Sequence, residues 1–208
     1  MLIGPTGSGK TPLGRRLEAR GLWGRRCRHF DFGARLRRIA ADGDPTGRLG
    51  PQQLDVIRSA LASHALLEDR NFPVARAILE AFLAEGRDDA DAWIVLNGLP
   101  RHIGQARDID KMVRVQAVIE LSCSARVIWQ RIRTNVGGDR AARTDDSLPV
   151  VRKRLADFHA RTAPLIDQYR AAGARIIPVA VSSADTADDL WRAVNEQPPP
   201  RPQRPHEG

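Results

Sequence analysis

The sequence predicts an α/β fold, a five-stranded parallel sheet with helices on both faces, and three observations carry that prediction. Short apolar runs rich in β-formers alternate with longer stretches of helical periodicity, the pattern of strand–helix–strand units. Gly4-Pro5-Thr6-Gly7-Ser8-Gly9-Lys10-Thr11 satisfies the pattern GxxxxGK[ST], a loop that belongs between a strand and the helix after it. Beyond Asp145 and Asp146, Val151, Leu155, Phe158, Thr162, Leu165, Ile166 and Tyr169 recur at steps of three and four and build one buried helical stripe.

Taken in order, the first strand is Met1 to Ile3, followed by the Gly-rich loop and a helix that tolerates Pro12 because the first turn has unpaired N–H groups in any case. Three residues before Gly4 make a short strand, so the natural start is expected upstream. Cys27 to Asp31 is the second strand. The segment from Gly33 to Glu85 is too long for a simple crossover and holds a Gly-rich break at Gly43 to Gly50 between helical patterns, which predicts a helical insertion over about residues 31–86. Trp93 to Leu96, Gln116 to Leu121 and Arg175 to Val181 complete the sheet. The long helix takes Asp146 or Ser147 as its cap, with Pro149 in the first turn. Gln197 to Gly208 has five prolines and no periodicity and is expected to be a disordered tail; no internal repeat is present.

Composition bounds the function. At 208 residues, with 42% hydrophobic and 28% charged, the chain is one globular domain. No apolar run approaches the roughly 18 to 20 residues that span a bilayer, so a cytoplasmic protein is expected, with no membrane partner. Cys27 and Cys123 are too few for a disulfide framework or a four-thiolate zinc site and read as small buried hydrophobes. The histidines show no metal-ligand spacing, and the four tryptophans read as packing groups. The whole excess charge of +8 sits in residues 1–38, where Lys10 and nine arginines face only Glu18 and Asp31. Most of these arginines read as a solvated face, and a few, beside a phosphate-binding loop, point to a small polyphosphate rather than to nucleic acid.

The chemistry follows from the loop. Its glycines let several amide hydrogens converge where the next helix directs its positive end, a cradle for phosphates built by Gly4, Gly7, Ser8 and Gly9. Lys10 would reach the β and γ phosphates, and the Thr11 hydroxyl would ligate Mg²⁺. Downstream, Asn97-Gly98-Leu99-Pro100-Arg101 ends a strand and is followed by Gln105-Ala106. Further on, Asp139-Arg140, Arg143-Thr144-Asp145-Asp146 and Arg154 lead into the long helix. Phosphoryl transfer between two nucleotides gathers negative charge that Mg²⁺, Lys and bidentate Arg must neutralise.

On these residues, GPTGSGKT, Gly33 to Arg37, LNGLPR with QA, and RTDD with a following Arg-Leu, the chain resembles the adenylate kinase and nucleoside monophosphate kinase family over residues 1 to about 196. The resemblance implies the P-loop NTPase fold, a helical NMP-binding insertion and a short lid at about 133–143. It implies reversible, Mg²⁺-dependent transfer from ATP to a nucleoside monophosphate, AMP first, with Arg37, Gly98 and Arg101 for the acceptor phosphate and Gln105 for the acceptor base. Lys10, Arg101, Arg140, Arg143 and Arg154 would clamp the transferring group. Thr11, and through water Asn97, Asp145 and Asp146, would serve the metal. A monomer is expected.

Four positions, in three stretches, depart from the family pattern. Asn97 replaces the usual Asp, so a carboxylate of the metal's water shell becomes a neutral amide. Phe32 and Ala34 stand where Thr and Asp are usual, and a lid arginine expected four residues after Arg131 falls on Asn135. Two rivals are a P-loop kinase for another small molecule and a catalytically silent fold that binds nucleotide or associates with RNA.

Overall fold

The computed structural model describes residues 1–63, 65, 67–86, 89, 91–139 and 148–200. Five strands, β1 (Leu2–Ile3), β2 (Cys27–Asp31), β3 (Trp93–Asn97), β4 (Ala117–Ser122) and β5 (Arg175–Ala180), form one sheet in the order β2-β3-β1-β4-β5. Every pairing is parallel. The five expected strands are all present, the fourth shifted by one residue. From β1 the chain fills one side of the sheet with β2 and β3, then crosses to the other with β4 and β5. The order thus reverses around β1, and loops at the carboxyl ends of β1 and β3 border one crevice.

Helices cover both faces because the strands are apolar on both. On one face α1 (Lys10–Arg20) and α9 (Ala187–Asn195) bury Leu13, Leu17, Leu190 and Val194 against Leu2, Val95, Ile119, Ile177 and Val179. On the other, α5 (Ile103–Ile109) and α8 (Pro164–Ala171) bring Ala106, Leu165, Ile166 and Tyr169 against Ile3 and Val118.

Between β2 and β3 lie three helices, α2 (Phe32–Asp42), α3 (Pro51–Ala62) and α4 (Phe72–Ala84), with a 3₁₀ turn at Asp69–Asn71. They form a core around Phe32, Leu36, Ile57, Ile78 and Phe82. The break between α2 and α3 is organised by Asp44, whose carboxylate accepts from the backbone N–H groups of Thr46, Arg48 and Leu49.

After β4 comes α6 (Ala125–Thr134), and then α7 (Leu148–Asp157). The expected single long helix is three pieces: α7, a π-helical turn at Phe158–Thr162, and α8. Pro164 supplies the reason. It has no N–H to give and its ring collides with the carbonyl four residues back, so the chain widens before it, and Ala163 donates five residues back to Phe158 at 2.9 Å. Residues 140–147, and with them the expected cap, the last four residues of the expected lid, Arg140, Arg143, Asp145 and Asp146, lie outside the described residues, as do residues 201–208 of the expected tail. Cys27 is buried, whereas Cys123 is only half-buried, against expectation; both are free thiols. Among the described residues no helix is long and apolar enough to cross a membrane.

Candidate active site

The loop after β1 curls because its sequence permits little else. Gly9 precedes α1 at φ 98°, a left-handed conformation that strains any side chain, and Gly4 approaches the sheet so closely that a Cβ there would sit 2.7 Å from the Leu121 carbonyl. Gly7 also has a positive φ, and its backbone lies against Ile128 and Ile132 of α6. Inside the curl, Ser8 Oγ is buried with no hydrogen-bond partner, and the Lys10 ammonium folds back to donate to the carbonyls of Gly4 (2.6 Å) and Pro5 (2.7 Å). A buried unpartnered hydroxyl, a cation and the N-terminus of an eleven-residue helix converge there, as an anion site requires.

Beside Lys10, three side chains from three elements meet. The Thr11 hydroxyl donates to Asp31 Oδ2 at 2.6 Å. The Asn97 amide nitrogen donates to Thr11 Oγ1 at 3.1 Å and to Asp31 Oδ2 at 3.2 Å. Asn97 is 4% exposed, at the end of β3, and directly opposite Asp31 in the β2–β3 register. His29 Nε2 lies 3.5 Å from the same amide nitrogen. Burial lowers the His29 pKa below its usual 6.5, against the pull of Asp31 and Glu18. The oxygens of Thr11, Asp31 and Asn97 are hard donors of the kind Mg²⁺ takes.

The opposite wall carries two arginines. After β3, Gly98 turns at φ 83°, Leu99-Pro100 is cis, and Arg101 follows. The Arg101 backbone is fixed from both sides: its N–H donates to Gln105 Oε1 at 2.8 Å, and its carbonyl accepts from Thr162 of the π turn at 2.8 Å. Its side chain and that of Arg154 line one cleft with Gly4, Thr6, Lys10 and Gly98. Burial, and next the positive charge of Arg154, push the Arg101 guanidinium down from its usual range. Asp157 pulls the other way on Arg101, and two guanidinium groups so placed beside the phosphate loop suit an anionic ligand. A cavity of about 410 Å³ at the opposite, amino-terminal ends of the strands is lined by Trp23, Trp93 and Val113 to Ala117 and holds no phosphate-binding loop.

Of the other expected residues, Arg37 is exposed on α2, with its Nη1 only 3.4 Å from where a Cβ on Gly33 would stand, near Asp31. Gln105 is 1% exposed, and both ends of its amide are engaged, Oε1 with Arg101 and Nε2 with the Leu67 carbonyl at 2.8 Å. One end of that amide thus fixes the Arg101 backbone. Phe32 is buried in the insertion's core, not in the crevice. Sequence reasoning passed over Asp31 and Arg131. Arg131, also buried, donates to the carbonyls of Ser182 (2.8 Å) and Asp185 (2.7 Å) and packs beside Gly9. The signal for Arg131 was available: an arginine on the apolar side of α6 breaks its pattern.

No family model matches the chain. Among curated proteins it is 32% identical to an adenylate kinase of Parvibaculum lavamentivorans, over 83% of this chain and 80% of the relative. It is 30% identical to an adenylate kinase of a Synechococcus species, over 83% and 85%. It is 27% identical to one of Nitrobacter hamburgensis, over 94% and 91%. A parallel five-stranded sheet, a phosphate loop at the point where strand order reverses, and this degree of likeness over most of both chains agree: the chain is an enzyme of the nucleoside monophosphate kinase class and belongs to the adenylate kinase family.

Proposed function

We propose that the enzyme catalyses reversible, Mg²⁺-dependent phosphoryl transfer from ATP to AMP. A phosphate oxygen of AMP forms a bond to the γ phosphorus as the bond to the β–γ bridging oxygen breaks, leaving two ADP. The acceptor phosphate is largely ionised near neutral pH, so no general base is needed. The observation that carries the reading is the facing pair of cation sets. Lys10 at the phosphate loop and Arg101 with Arg154 across the crevice stand where a donor and an acceptor phosphate would meet. The names of the relatives supply the nucleotides.

Gly4, Gly7, Ser8, Gly9 and Lys10 would hold the donor phosphates, and Arg37, Gly98 and Arg101 the acceptor phosphate. Arg154, with Arg140 and Arg143, would gather on the transferring group as its charge spreads. Thr11 would hold Mg²⁺, with Asn97, Asp145 and Asp146 acting through water, and the metal would supply neutralisation of the phosphate charge. Closure over both substrates would keep water from acting as the acceptor. The enzyme would work as a cytoplasmic monomer.

The test is product analysis with Mg-ATP against AMP, CMP, UMP, GMP and dTMP. ADP formed from AMP in preference to the other acceptors is expected; ATP binding without transfer to any of the five would overturn the reading in favour of a silent nucleotide-binding fold. Lys10→Ala should cut kcat by about a hundredfold or more, since a charge contact of this kind contributes about 3 kcal/mol in the transition state. Near-normal turnover in that variant would remove Lys10 from the mechanism.

A further inference from the structure

We infer that Asp31, at the end of β2, is the residue whose carboxylate steadies the metal–nucleotide complex in this enzyme, in the place where Asn97 on β3 offers only an amide. The inference rests on the kinase reading above and deepens it.

The geometry is that of one charge moved across one rung of the sheet. Asp31 and Asn97 are register partners on adjacent parallel strands, and both side chains reach the same hydroxyl, Thr11 Oγ1. Their own separation is 3.2 Å, Asn97 donating to Asp31 Oδ2. The two carboxylate oxygens have separate tasks. Oδ1 accepts from the Ala34 N–H at 2.9 Å and caps α2, whereas Oδ2 plays no part in the cap. A helix cap needs one neutral oxygen, which Ser or Asn supplies equally well, so capping does not account for a second, charged oxygen aimed at the phosphate loop. Among the described residues no basic side chain forms an ion pair with Asp31. Its surroundings instead hold the charge with neutral donors: the Thr11 hydroxyl, the Asn97 amide and the Ala34 N–H. A carboxylate so held next to a phosphate loop disfavours a naked polyphosphate and favours one whose charge a divalent cation has already offset. Asn97 then orients Oδ2, and the pair does jointly what one aspartate on β3 would do.

Three variants separate this from a purely structural role: Asp31→Asn, which keeps shape and cap; Asp31→Ser, which keeps a capping oxygen should the first fail to fold; and the exchange Asp31→Asn with Asn97→Asp. The readouts are the affinity of the ATP-bound enzyme for Mn²⁺, followed by loss of the free Mn²⁺ electron paramagnetic resonance signal, and calorimetric ATP binding in EDTA. Asp31→Asn, or Asp31→Ser, should weaken Mn²⁺ binding roughly 10- to 100-fold while metal-free ATP binds as well as to the parent or better. The exchange variant should recover most of the Mn²⁺ affinity. Unchanged Mn²⁺ affinity in a folded Asp31 variant, or no recovery on exchange, would overturn the inference while leaving the kinase reading intact. Failure of the parent to bind ATP at all would overturn both.

Discussion

At the scale of single residues, the site is tightly coupled to the packing beneath it. Gly14 of α1 is a glycine because the His29 ring occupies the space a side chain would need: a Cβ there would lie 2.2 Å from His29 Nε2. Gly14→Ala is expected to destabilise the protein by about 1–3 kcal/mol despite the better helix propensity of alanine, through overpacking. His29→Ala should relieve most of that cost in the double variant, which denaturant unfolding of the four proteins would reveal as a coupling energy. The same ring gives the enzyme an acid sensitivity. His29 is held below its unfolded pKa of about 6.5 by burial, so the unfolded chain takes up the proton first as pH falls. Its contribution to stability is complete above that value and is lost on acidification toward the lower folded value. Unfolding free energy measured from pH 7 to 5 should therefore fall less steeply in His29→Gln than in the parent; parallel curves would remove His29 as the cause.

At the scale of elements, the strands and the phosphate loop were legible because each is written in a contiguous stretch of residues. Alternating apolar blocks mark the strands, and the loop pattern occupies eight consecutive positions. Arg101 was legible for the same reason. The role of Asp31 was not: it depends on β2 pairing with β3 in a register that puts residues 31 and 97 side by side. Nor could the sequence show that Gln105 spends its amide on Arg101 and on Leu67, 38 residues away. The π turn was hidden because steps of four and three, Phe158 to Thr162 to Leu165, fit an unbroken helix equally well. That turn has a testable purpose, since Thr162 holds the Arg101 carbonyl. Thr162→Val removes one hydrogen bond worth about 0.5–1.5 kcal/mol, and it should raise the KM for AMP roughly two- to tenfold with little change in the KM for ATP. Equal effects on both substrates would place the turn outside acceptor positioning.

For the whole molecule, the clustering of charge in the sequence is dispersed by the fold. Arg16 and Arg20 meet Asp188 of α9, Arg26 meets Asp89, Arg35 meets Glu85, and Arg28 donates to the Phe82 carbonyl beneath its ring contact with Phe82. Most of these pairs are partly exposed and contribute little each, but they bind the basic first 38 residues to later parts of the chain. What stays directed at the crevice is a smaller set of cations around β1. Because the fold supplies that crevice and the unfolded chain does not, ATP at a hundred times its dissociation constant should add about 2.7 kcal/mol to the unfolding free energy. A calorimetric scan with and without Mg-ATP measures this, and an unshifted transition would count against a preformed donor site.

The rung that joins Asp31 to Asn97 also bears on how such a site changes over descent. If a carboxylate can serve from either strand, a lineage that moves it from β3 to β2 must pass through an ancestor with two acids facing each other or one with none. The first repels itself and retains a proton; the second lacks the charge altogether. Which residue can be replaced at one position is therefore set by the residue at the other, and the two sites would evolve as a unit although 66 positions separate them along the chain.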